Sequence, residues 1–93
     1  MSHVGETIGI FKDMAEAISA RHLANIRLMA AEKGARPPFD DLMAQLKLME
    51  QELTGQGVKF IEKHNGTPAE REALTEELKG AIRATIEGFI RQL

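Results

Sequence analysis

Glycine and proline fall in two tight clusters, Gly34-Ala35-Arg36-Pro37-Pro38 and Asn65-Gly66-Thr67-Pro68, which divide the 93-residue chain into three stretches of similar length. Proline lacks a backbone donor and clashes with the preceding helical turn, while glycine takes the left-handed conformation that ends helices. Neither cluster suits the inside of a regular element, so the fold must be assembled from three segments joined by short turns. A chain of this length supports a single core, and one domain over residues 1–93 is expected.

The spacing of apolar residues makes each segment a helix. Val4, Ile8, Phe11, Ala15, Ile18, His22, Ile26 and Met29 recur every three or four positions, the period of one helical face, and Lys33-Gly34 supplies a cation and a left-handed cap at the end. In the second segment Leu42, Leu46, Met49 and Leu53 carry the stripe, which Phe60 and His64 rejoin. Gly55 and Gly57 interrupt it, each costing about 1 kcal/mol relative to alanine in a helix interior, so a helix kinked or broken near Gly55 to Gly57 is predicted. Asp40 and Asp41 suit the positive start of that helix, and Asn65-Gly66 its stop. The third segment opens on Thr67-Pro68-Ala69-Glu70, a capping box with proline at the first helical position, and continues through Leu74, Leu78, Ile82, Ile86, Phe89 and Leu93. Three long helices with short connections predict an all-α, antiparallel, up-down-up three-helix bundle. Leu46, Met49, Ile18, Leu78 and Ile82 are expected where the stripes meet.

Composition removes whole classes of chemistry. With no cysteine there are no disulfides, thiol nucleophiles or cysteine zinc sites, and a reducing, cytoplasmic setting is compatible. Charge sums to -2 with both signs interspersed, and Trp and Tyr are absent, so neither a phosphate-binding face nor a base-stacking platform is implied; no nucleic-acid partner is expected. No apolar run reaches the roughly 18 residues of a membrane span, and Glu6, Asp13 and Glu16 do not suit a targeting peptide or a membrane-surface helix. Ser2 and Ser19 are the only serines and lack a nucleophile elbow, while Gly55-Gln56-Gly57 follows no strand and lacks a third glycine. No enzyme activity and no cofactor are expected.

Three histidines remain. His3 lies at the terminus, His64 at the end of the second stripe, and His22 within the first. A buried, hydrogen-bonded ring is the plain reading of His22; the alternative is a small-ligand or metal-binding bundle in which His22 acts with His64 or acidic neighbours. Met14, Met29, Met43 and Met49 are expected to fill the core.

Gly80, Ala84 and Gly88 recur at i, i+4 and i+8 and form a ridge of small side chains on the third helix. Two uses are open. The ridge can receive a close neighbour within the chain, with Ala20 and Ala24 as a matching surface, or a helix from a second chain. A slender bundle also has a thin core, so Ile10, Met14, Leu28, Leu48 and Ile90 are expected to stay partly uncovered until another chain covers them. The expected function is a non-enzymatic protein-interaction module, an adaptor, chaperone or regulator, working through helix–helix contacts as a homodimer. Its interaction residues are Gly80, Ala84, Gly88, Ile10, Met14 and Leu28, with the closest approach at the glycine ridge.

Overall fold

A computed structural model describes residues 4–93; His3 lies outside them. Three helices follow one another, α1 (Val4–Lys33), α2 (Phe39–Lys63) and α3 (Pro68–Arg91). At 1.5 Å per residue a 30-residue helix is about 45 Å long, which fills most of a molecule measuring 52 × 19 × 19 Å. All three lie along that axis and pack against one another. The short connections reverse the chain twice, giving the up-down-up order.

Each boundary has a local cause. Gly34 sits at φ +64°, and the amide of Ala35 reaches back to the carbonyl of Ala30 at 3.2 Å, the backbone signature of a left-handed glycine cap. Pro38 precedes α2 without a side-chain cap; its carbonyl accepts from the amides of Asp41 and Leu42 instead. Lys33 and Asp41 pair at 3.6 Å across this first connection. At α3 both halves of the capping box form: Thr67 Oγ1 accepts from the Glu70 amide at 3.2 Å, and Glu70 Oε1 accepts from the Thr67 amide at 3.4 Å.

α2 runs unbroken through Gly55 and Gly57, so of the two forms expected there, a kinked helix or a broken one, the break does not occur. Packing explains why the second glycine is tolerated. Gly57 is buried, and a Cβ there would lie 3.6 Å from Ile82 Cδ1, in contact with α3.

The stripes meet along one continuous core of Phe11, Ala15, Met49, Leu53, Leu74, Leu78 and Phe89, flanked by Ile8, Ile18, Leu23, Ile26, Leu42 and Ala81. Of the five residues expected at its centre, Ile18, Met49 and Leu78 are buried, while Leu46 and Ile82 are half-buried against it. The rings of Phe11 and Phe60 meet edge to face at 5.4 Å. Among the methionines of the described residues only Met49 is fully enclosed; Met14, Met29 and Met43 are half-buried. None of the helices of the described residues is long and apolar enough to cross a membrane.

Candidate functional site

Helical phase splits α1 into two seams. The inner seam, from Ile8 through Phe11, Ala15, Ile18, His22 and Ile26, faces the core. A second set steps 4, 3, 4, 3, 4 and 3 along the outside: Ile10, Met14, Ala17, Arg21, Ala24, Leu28 and Ala31. That is the spacing of the a and d positions of a coiled coil. Six of the seven are apolar, yet Ile10 is 61% and Leu28 60% exposed, Ala17, Ala24 and Ala31 are exposed as well, and Met14 is half-buried. Among the described residues, cover from within the chain reaches this face only at Met14, packed against the core, and at Arg21, which meets Glu52 of α2. The inner stripe is read readily from the sequence; the outer one is hidden because its alanines and its arginine break the apolar pattern.

Arg21, the polar member, is tied down. Its guanidinium donates to both carboxylate oxygens of Glu52 on α2. Glu52 also accepts from His22 Nε2 at 3.1 Å, while the Gln45 amide donates to His22 Nδ1, so the ring carries its proton on Nε2. The hydrogen bond from Arg21, then that from His22, hold the Glu52 carboxyl below its ordinary value of 4.5. The ring is 6% exposed and both its nitrogens are engaged. It is therefore the buried, hydrogen-bonded histidine of the plain reading, and a ligand at either nitrogen would have to displace Glu52 or Gln45. His64 stands about three turns beyond Glu52, beside Gly66 and 3.9 Å from Glu70, so the two rings do not converge. Among the described residues no three metal-ligating side chains come together.

Leu48 lies one turn before Glu52 on α2 and is exposed, so it borders the outer seam where Arg21 crosses to α2. Toward the other end, Ile10 and Met14 open into a groove of about 580 Å³ between α1 and α2, floored by Phe60 and edged by Lys59 and Lys63. Seam and groove form one continuous face.

The glycine ridge lies elsewhere. Ala84 and Gly88 border Lys12, Glu16 and Ser19 in a shallow groove on the opposite flank of α1 from Ile10 and Leu28. A Cβ added at Gly80 or Gly88 would meet nothing within 4 Å, and Gly80, Ala84, Ala20 and Ala24 are all exposed. The expectation of a close neighbour within the chain is thus overturned, because α3 packs through Leu74, Leu78, Ala81 and Phe89, which turns Gly80 and Ala84 outward and leaves Gly88 half-buried at the edge of the groove without a close contact. The six interaction residues expected from the sequence therefore fall on two surfaces: Ile10, Met14 and Leu28 on one, Gly80, Ala84 and Gly88 on the other. Phe39 and Val58 are exposed apolar residues that the stripes do not single out. Ile90, expected to be uncovered, is exposed on α3.

Comparison with models of known families, with curated proteins and with solved structures gives no match to this chain.

Proposed function

We propose that the protein is a non-catalytic interaction module, cytoplasmic as its cysteine-free sequence allows, which docks helices on the outer seam of α1 and through it self-associates. The observation that supports this reading is the seven-position heptad repeat that the bundle leaves in solvent. Isolated exposed apolar residues are ordinary on protein surfaces, but a continuous seam at coiled-coil spacing matches the form of surface that a second helix buries. The groove beside Ile10 and Met14 adds the concave element that an anchoring side chain requires.

Calorimetric dilution of the full chain from millimolar to micromolar concentration tests this. The wild type is expected to release a concentration-dependent heat of dissociation, which Leu28→Glu abolishes by placing a charge in the seam. Dilution of the wild type with no heat beyond that of buffer, at several temperatures, would contradict the reading.

A further inference from the structure

Resting on that reading, we infer that the occupant of the seam is α1 of a second copy, antiparallel to the first about a two-fold axis near Ala20, with Asp13 of each chain paired to Arg27 of the other. Residues that face each other across the middle of an antiparallel coiled coil have a constant sum of residue numbers, and flanking pairs differ from it only slightly. With the axis at this height, Ile10 faces Leu28 of the second copy, Met14 faces Ala24, and Ala17 faces Arg21. Each large side chain of the middle layers then meets an alanine. The parallel alternative would set Arg21 against Arg21, Ala17 against Ala17 and Met14 against Met14, combining like charges with uneven layers.

Charge at the flanks selects the same register. Besides Glu6, which falls opposite Gly34 of the second copy, the charged residues on the flank of the seam away from α2 are Asp13 and Arg27. Both are exposed, and no ion pair within the chain engages either of them among the described residues. The antiparallel register places Asp13 opposite Arg27 twice, once on each side of the axis, with Ala20 opposite Ala20 between them. The outer alanines allow close approach along the middle of the interface. Leu28 of the second copy comes to the mouth of the groove beside Ile10, Met14 and Phe60, so the most exposed leucine of the chain meets an apolar hollow. Leu48 borders the same face and is covered further by the second copy. Arg21 enters the middle layers with its charge already matched by Glu52 of its own chain.

The absence of cysteine allows a direct test of the register on the full chain. A thiol introduced as Ala20→Cys can pair only with its equivalent in another copy. Oxidation, or a short bis-maleimide, is expected to convert most of that variant to covalent dimer. Ala31→Cys thiols would stand roughly 36 Å apart along the axis and are expected to stay single. The charge pairing is tested by mixing. Asp13→Arg and Arg27→Asp should each weaken self-association about tenfold, and their equimolar mixture should recover wild-type affinity as a heterodimer, because every flank pair is again of opposite sign. All four substitutions lie at exposed positions, and circular dichroism checks that the helices are kept. If the wild type dimerises but Ala31→Cys cross-links as well as Ala20→Cys, or the mixture is no tighter than either variant, the antiparallel register is overturned and self-association stands. A wild-type chain that stays monomeric would overturn both.

Discussion

Leu78→Ala and Leu28→Ala remove the same three carbons from two very different places, and the contrast between them measures how far the bundle core extends. Leu78 is 2% exposed at the meeting of the three helices. Losing three buried carbon groups costs about 2.4 kcal/mol in transfer alone, and the cavity left behind brings the usual leucine-to-alanine range to roughly 2–5 kcal/mol. A domain of this size is stable by only about 5–14 kcal/mol, so roughly 3 kcal/mol is a large share. Leu28 is 60% exposed. Scaling the transfer value by its buried fraction leaves about 1 kcal/mol, with no cavity to add. Urea denaturation followed by circular dichroism at micromolar concentration reads the difference. With an m-value of about 1.5 kcal/mol/M, Leu78→Ala should lower the midpoint by about 2 M and Leu28→Ala by less than about 1 M. Repeating the series at high concentration should widen the Leu28→Ala deficit, because dimerisation stabilises only the folded wild type. Equal shifts at micromolar concentration, or a Leu78→Ala loss below about 1 kcal/mol, would refute the assignment of the core.

Thr67→Ala is expected to cost about 0.5–2 kcal/mol, seen as a lower thermal midpoint, since it removes the oxygen that accepts from the Glu70 amide, which is its half of the capping box, and the hydroxyl that donates to Glu70 Oε1. Gly34→Ala should cost about 1–2 kcal/mol by the same measurement, because alanine has to adopt φ +64° to end α1 where it does. Glu52 titrates below its ordinary value in the folded chain, so its contribution to stability is fully present above pH 4.5 and is lost as the pH falls through the lower folded value. Denaturation midpoints taken down through the acid range should therefore fall more steeply for wild type than for Glu52→Gln; parallel curves would remove Arg21 and His22 as the cause of the shift.

The parts of this fold legible in the sequence are those set by local chemistry. Lys33-Gly34 and Thr67-Pro68-Ala69-Glu70 mark helix ends because the groups that satisfy the terminal amides and carbonyls lie within a few residues of them. The inner stripes are legible because every member is bulky and apolar, apart from Ala15, His22 and His64. What the sequence conceals depends on neighbours far along the chain. Gly57 costs α2 some propensity, yet the helix continues because Ile82 packs against that position, a contact 25 residues away. Gly80 and Gly88 suggest close packing, but their helix buries a different face, and their space opens to solvent. His22 stands out on its apolar stripe, whereas its partners Gln45 and Glu52 come from α2 and carry no local signal. The outer seam of α1 is visible only in part, at Ile10, Met14 and Leu28. Ala17, Ala24 and Ala31 complete it, and alanine at those positions is equally at home on any solvated helix.

Sedimentation equilibrium of the full chain across a thousandfold concentration range, with refractive index to fix concentrations in a protein lacking Trp and Tyr, tests self-association through α1 most directly. The wild type should approach twice the 10.3 kDa mass of one chain. Leu28→Glu should return the mass to that of a single chain, and Ala84→Glu, on the glycine ridge, should leave the dimer intact. A wild-type mass of one chain at every concentration, or a dimer that Ala84→Glu dissociates and Leu28→Glu does not, would contradict the assignment.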